Sequence, residues 1–150
     1  MKILVTVGTT AFDELIIEID RAFKHDTNVS IMAQVSEKSC CETHNIRTFD
    51  FCDNLQPYIE QADVVVTHAG AGSVYSMLES GKKLVVVPNL QRADKHQLEL
   101  AKYVHDNKFA IACLDLKTLK PCILQAVSTD FSPYQREKFF GHSIIRDLLI

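Results

Sequence analysis

One stretch constrains this chain more than any other: Asp63-Val64-Val65-Val66-Thr67-His68-Ala69-Gly70-Ala71-Gly72-Ser73. Four residues of β-branched strand chemistry run into a glycine-rich turn. Val74-Tyr75-Ser76-Met77-Leu78-Glu79-Ser80 then reads as a short helix stopped by Gly81. Strand, glycine turn and helix together hold an anion well. Gly70 and Gly72 let backbone approach a ligand with no Cβ in the way. Ser73 is positioned to cap the helix, whose first-turn N–H groups and dipole then favour a phosphate or diphosphate. Taken alone, Gly-Ala-Gly-Ser also suits a plain strand-to-helix turn. His68, at the carboxyl end of a buried strand, points toward the crevice where open α/β sheets bind ligands, although a lone histidine often serves structure only.

The same device opens the chain. Residues 2–7 read as a buried strand ending in Gly8-Thr9-Thr10, and Phe12, Leu15, Ile16, Ile19 and Phe23 mark an amphipathic helix with Asp13 and Glu14 in its first turn. Thr9 and Thr10 stand at the mouth of that helix, suited either to capping or to donating to phosphate oxygens. Residues 28–35 and 46–51 read as strands two and three, separated by a polar loop over 36–45. Residues 53–62 read as a helix capped by Asp53 or Asn54, with Pro57 tolerated near its start. Residues 83–87 form strand five, closed by Pro88. A polar loop over 89–95 follows, and then a helix capped by Asp94, carrying Leu98, Ala101, Val104 and His105 on one face and stopping at Asn107. Residues 109–113 form strand six and 117–127 a further helix containing Pro121. Ser132 and Pro133 open a last helix bearing Phe139, Phe140, Ile144, Ile145, Leu148 and Leu149. That last stripe either packs back on the domain or docks on a partner.

Strands alternate with helices, and the strands are continuous apolar runs, as expected when both sheet faces are covered. The expectation is an α/β fold: a Rossmann-like, doubly wound parallel sheet of about six strands over residues 1–131, with a C-terminal helix over 132–150. In the usual strand order, strands one and four are neighbours at the switch point, so both glycine turns open into one crevice. A dehydrogenase-type dinucleotide domain is disfavoured, because strand one lacks G-x-G-x-x-G after it and strand two does not end in an acid.

Composition narrows the partners. A net charge of −3 and a pI near 6.0 disfavour a nucleic-acid backbone. Five cysteines, an odd number with no C-x-x-C pair and no signal peptide, read as reduced cytosolic thiols. Cys40, Cys41 and His44 fit no standard zinc spacing. No apolar run approaches the ~20 residues of a membrane helix, so any work at a membrane requires something else to hold the chain there.

Three segments carry a family resemblance: Val5-Thr6-Val7-Gly8-Thr9-Thr10 with Phe12-Asp13-x-Leu15-Ile16; Ala62-Asp63 running into Thr67-His68-Ala69-Gly70-Ala71-Gly72-Ser73; and Gly81-Lys82-x-Leu84-Val85-Val86-Val87 followed by His96-Gln97-Leu98-Glu99-Leu100-Ala101-Lys102. Over residues 1–113 the chain resembles MurG-like glycosyltransferases. Among these it is similar to the catalytic subunit of the dolichol-linked UDP-N-acetylglucosamine transferase and to bacterial PssE-type exopolysaccharide and capsule subunits. The resemblance implies the donor-binding carboxyl-terminal half of a GT-B glycosyltransferase, with the acceptor half on a separate, membrane-associated chain. It implies a UDP-sugar donor, a lipid-linked acceptor, no metal or other cofactor, and a cytoplasmic protein held peripherally at the membrane face by its partner.

Residue by residue, the resemblance puts Gly8, Thr9 and Thr10 near the donor diphosphate and His68 with Gly70, Ala71, Gly72 and Ser73 beneath it. Phe51, Cys52 and Asp53 match the backbone that holds uracil, and His96 and Gln97 match the pair that touches the sugar hydroxyls. Two positions depart from the pattern. Ser76 stands where relatives often carry an acid for the ribose, with Glu79 one turn later as the substitute, and Gln34-Val35-Ser36 lacks a glycine that relatives tend to have. The implied reaction is inverting hexosyl transfer, with His68 or the partner supplying the base. The alternative is a non-catalytic regulatory subunit that keeps the fold.

Overall fold

The computed structural model describes residues 1–91 and 95–136. The expected cap Asp94 and the apolar residues from Phe139 to Leu149 lie outside the described residues.

Six parallel strands form one sheet in the order β3-β2-β1-β4-β5-β6. They are β1 (Lys2–Thr6), β2 (Ser30–Gln34), β3 (Arg47–Phe49), β4 (Val64–His68), β5 (Leu84–Val87) and β6 (Ile111–Ala112). The helices are α1 (Asp13–Ala22), α2 (Gln56–Gln61), α3 (Ala71–Glu79), α4 (Lys95–Asp106) and α5 (Leu119–Ser128), the last preceded by a 3₁₀ turn over Leu116–Thr118. This is the doubly wound order, with its reversal between β1 and β4. β1 and β4 pair in register from Ile3 with Val64 to Thr6 with Thr67, so the turns that follow them leave the sheet side by side.

The apolar runs of the central strands are buried on both faces, as their sequence requires. Ile3, Val5, Val66 and Val85 pack beneath α1 and α5, through Leu15, Ile16, Ile19, Leu119 and Ile123. Leu4, Val65, Leu84 and Val86 pack beneath α2, α3 and α4, through Ile59, Val74, Met77, Leu78, Ala101 and Val104.

Several boundaries differ from expectation for local reasons. β6 is short because Phe109 and Ala110 are drawn into the end of α4. Lys108 takes φ 59°, and the N–H groups of Lys108 and Phe109 donate to the carbonyls of His105 and Val104, the Schellman termination. The buried face of α4 is Gln97, Ala101 and Val104, while His105 is exposed. α2 begins later than expected. Neither Asp53 nor Asn54 occupies the N-cap, which is Leu55, but Asn54 Oδ1 accepts the Gln56 N–H at 3.0 Å. The loop over 36–45 is fastened to α1 by two carboxylates. Asp13 accepts from Ser39 and Cys40, and the buried Asp20 accepts the His44 and Asn45 N–H groups. Residues 131–136 form no helix, so Ser132 and Pro133 do not open one there. The residue before a proline is biased away from helical backbone, and the Ser132 N–H donates instead to the Lys108 carbonyl.

Candidate functional site

The two glycine turns meet at the switch point, and His68 lies between them. A Cβ on Gly70 would stand 2.3 Å from His68 Nε2, and one on Gly8 would stand 2.8 Å from His68 Cε1. The imidazole therefore occupies the space that side chains at both turns would fill. Gly8 also needs its freedom for backbone reasons, with φ at 67°. Gly72 differs from both, because a Cβ there would meet nothing within 4 Å. Internal packing does not require that glycine, and its face of the turn is open.

α3 begins at Ala71, three residues earlier than a Ser73 cap would allow. Gly70 is the N-cap, in extended backbone, and its carbonyl accepts the Val74 N–H at 2.9 Å. Ser73 sits inside the first turn and does not cap. No side chain caps α3, and no acid lies in its first turn. The contrast with α1 is informative. There Asp13 and Glu14 occupy the first turn, Asp13 held by Ser39 and Cys40 and Glu14 accepting from Gln91 Nε2 at 2.6 Å. The start of α1 thus carries its own anions, and the start of α3 is the one suited to a foreign anion.

The β1–α1 turn is held from the neighbouring strand. Gln34, fully buried at the end of β2, donates from Nε2 to the Gly8 carbonyl (3.2 Å) and to the Val35 carbonyl (2.8 Å). Ser36, also buried, donates from Oγ to the Thr9 carbonyl at 3.2 Å. Thr9 itself is exposed and Thr10 half-buried.

A cavity of about 460 Å³ joins the starts of α3 and α4. Gly70, Ala71, Tyr75, His96, Gln97 and Tyr103 are among its walls. Of the residues expected at the site, the structure thus brings Gly70, Ala71, His96 and Gln97 around one space. His96 is exposed and lies 3.6 Å from Glu99. Gln97 is buried, and its Oε1 accepts the Asn89 N–H at 3.0 Å, fixing the loop that follows β5. Gly72, Ser76 and Glu79 line a second cavity of about 1020 Å³ that shares Ala71, Tyr75 and Tyr103 with the first. Glu79 lies at the far end of α3, 3.9 Å from Arg136. Phe51 and Cys52 line neither cavity. Phe51 is 48% exposed in the loop after β3, and Cys52 Sγ donates to the Asn54 carbonyl. Tyr134 went unnoticed in the sequence. It packs on Tyr75 at 5.6 Å and on Phe109 at 5.3 Å between ring centroids, forming a wall of the larger cavity. No period marks that residue, because its segment is irregular.

Among the described residues no group of three His, Cys, Asp or Glu side chains is placed to hold a metal ion, and no helix is long and apolar enough to cross a membrane.

Comparison with known proteins agrees with this fold. The human UDP-N-acetylglucosamine transferase subunit ALG13 is 37% identical over 122 residues, which cover 74% of this chain and 11% of that protein. The UDP-N-acetylglucosamine–N-acetylmuramyl-(pentapeptide) pyrophosphoryl-undecaprenol N-acetylglucosamine transferase of Rickettsia akari is 28% identical over 119 residues, covering 70% of this chain and 30% of that one. The chain therefore spans about a tenth of one relative's length and under a third of the other's. In fold, it matches the crystal structure of Acinetobacter baumannii MurG with a TM-score of 0.65 at 18% identity, over all of this chain and 52% of that one. The fold is that of the carboxyl-terminal half of a GT-B glycosyltransferase. The model of the glycosyltransferase family 28 C-terminal domain matches residues 2–139, and this chain belongs to that family.

Proposed function

We propose that this chain binds the UDP-sugar donor of an inverting glycosyltransferase and works with a second, membrane-associated chain that presents a lipid-linked acceptor. One observation carries the reading: the uncapped start of α3 and the start of α4 wall one cleft at the switch point of the sheet, and the β1–α1 turn packs against the same His68 ring as Gly70. The curated relatives supply the donor class, since both are named for UDP-N-acetylglucosamine transfer, and ALG13 is named a subunit.

In this reading the diphosphate lies against the uncapped start of α3, beside open Gly72. The sugar reaches toward His96 and Gln97, and the uridine extends toward Phe51 and Cys52. Thr9 and Thr10 border the diphosphate, and Ser76 and Glu79 lie along the ribose side. As the bond between the anomeric carbon and the diphosphate breaks, negative charge grows on the leaving oxygen. Backbone N–H groups and the α3 dipole face that charge and stabilise the transition state more than the ground state. This arrangement needs no metal. The acceptor hydroxyl attacks from the opposite side, inverting the anomeric centre, and its proton passes to a base on that side supplied by the partner, since His68 lies beneath the diphosphate between the two turns. Residues 137–150 contribute to partner docking, and the pair works at the cytoplasmic membrane face in polysaccharide or lipid-linked glycan synthesis.

Calorimetric titration with UDP and UDP-N-acetylglucosamine tests the donor assignment. Competitive binding of both is expected, and an absence of heat with every UDP-sugar overturns it. A Gly72→Val chain that has lost UDP binding yet still supports full transfer with its partner makes this the regulatory subunit instead.

A further inference from the structure

Away from the cleft, two cysteines flank the Thr118 hydroxyl where β6 meets α5. Cys113 directly follows β6 and is 1% exposed, and its N–H extends the sheet by donating to the Val86 carbonyl at 2.9 Å. Cys122 lies in the first turn of α5 and is half-buried. Thr118 stands between them, its Oγ1 3.8 Å from each sulfur. Neither cysteine is in a disulfide.

The two thiols are unequal. A hydrogen bond from Cys113 is the main force pulling Cys122 down to about 6, with the Thr118 hydroxyl helping and burial opposing. The same hydrogen bond, and then burial, pushes Cys113 up from the ordinary thiol range. Cys122 is the sulfur that solvent reaches, and the opposite directions of the two shifts make it the one that gives up its proton more readily. A reactive, partly exposed thiolate beside a second thiol is the arrangement in which oxidation proceeds to a disulfide and stops. The other three cysteines lack it. Cys40 and Cys41 are chain neighbours on the loop fastened to α1, and Cys52 is engaged with its own loop carbonyl.

We propose that Cys122 and Cys113 form a peroxide-sensitive pair, in which Cys122 is oxidised and Cys113 closes it to a disulfide joining β6 to α5. In the first step the Cys122 thiolate attacks one oxygen of hydrogen peroxide. The O–O bond breaks, hydroxide leaves, and the sulfur becomes a sulfenic acid. In the second, the Cys113 sulfur attacks that of Cys122 as its proton departs. The S–O bond breaks, and the released hydroxide takes up the proton as water. Two thiols are oxidised, and one peroxide is reduced to two waters. The disulfide lies beside the cavity that Cys113 shares with Glu14, Asn89 and Gln91, behind the loop that leads to α4. The pair stands independently of the glycosyl-transfer reading.

The test uses the full chain, reduced, freed of reductant, treated with equimolar hydrogen peroxide, blocked with N-ethylmaleimide and mapped by mass spectrometry. The expected product has lost two hydrogens and yields a cross-linked peptide pair containing Cys113 and Cys122. Alkylation by iodoacetamide should rise through a midpoint of about 6 at Cys122. At that pH it should run about ten-fold faster than a free-cysteine peptide, the larger thiolate fraction outweighing lower nucleophilicity. In Cys113→Ala the sulfenic acid should form more slowly, Cys122 having lost the hydrogen bond that lowers it, but should persist once formed and be captured by dimedone. Mapping of the unsubstituted chain decides the matter without that variant. A disulfide from Cys122 to any other cysteine, or Cys113 still alkylatable once Cys122 is oxidised, overturns the proposal. So does Cys122 reacting no faster than the peptide.

Discussion

Gly8, Gly70 and Gly72 look alike in the sequence, yet they stand in their turns for different reasons. Gly8 and Gly70 leave room for the His68 ring, whereas Gly72 opens on empty space. That difference makes the three separable by substitution. Gly70→Ala forces the imidazole to move, so it should lower the melting temperature and weaken UDP binding. Removing the ring as well, in Gly70→Ala with His68→Ala, should recover part of the stability lost by the single change. A coupling of about 0.5–3 kcal/mol is expected for groups in direct contact, and additive effects in denaturant titrations would remove His68 from this role. Gly72→Ala should do the reverse. Adding a methyl group to an open helical position stabilises the free chain by up to about 0.5–1 kcal/mol, while the methyl intrudes on the diphosphate and raises the Kd for UDP. A variant that is stabilised and still binds UDP as the parent does would move the diphosphate elsewhere. The sequence alone announced that glycines mattered after β4. It did not announce that a histidine two residues before Gly70 was the reason for one of them, because that contact depends on how the β4 turn folds back over the strand end.

At the scale of elements, α4 shows how periodicity can assign a face and still misjudge a residue. Leu98, Ala101, Val104 and His105 suggest one apolar stripe, but the helix turns so that Gln97 shares the buried face with Ala101 and Val104. Gln97 is thereby a brace for the loop after β5 as well as a cavity wall, while His96 beside it is exposed. The two should part company on mutation. Gln97→Ala leaves the Asn89 N–H without its acceptor and should cost about 1–3 kcal/mol of stability, along with weaker UDP-sugar binding. His96→Ala should leave stability unchanged and weaken UDP-sugar binding more than UDP binding. Equal losses for the two ligands in His96→Ala would show that it does not read the sugar. The end of β2 acts in the same fashion. Gln34 holds the Gly8 carbonyl from the neighbouring strand, a contact between residues far apart in sequence that no local pattern displays. The six strands and the two glycine turns, by contrast, were legible because continuous β-branched runs and glycine punctuation are local signals. The short β6 was less so, since the Schellman turn at Lys108 consumes Phe109 and Ala110 before the strand begins.

At the scale of the whole molecule, the 3-2-1-4-5-6 order puts both glycine turns and the start of α3 at the carboxyl ends of the strands, while Glu79 stands at the opposite end of α3. The segment after α5 then returns across the outside of α3 and α4. There Tyr134 packs tilted on Tyr75 and edge-on against Phe109, and the Ser132 N–H reaches the Lys108 carbonyl. Residues 131–136 thus belong to the packing of this domain, and a docking role falls to the sequence beyond them. Two truncations separate these roles. Ending the chain after Thr129 removes Tyr134 and two aromatic contacts worth about 0.5–1.5 kcal/mol each beyond their buried area, so the melting temperature should fall. Ending it after Arg136 keeps those contacts and should leave the melting temperature and UDP binding unchanged. It removes Phe139, Phe140, Ile144, Ile145, Leu148 and Leu149, side chains worth about 1.5–3 kcal/mol each if fully buried. If they are buried against the acceptor-binding chain, the shorter protein should fail to co-purify with it and should lose transfer while still binding UDP. If the chain ending at Arg136 melts lower than the parent, those side chains pack on this domain instead. If it supports full transfer with its partner, docking through this segment is excluded.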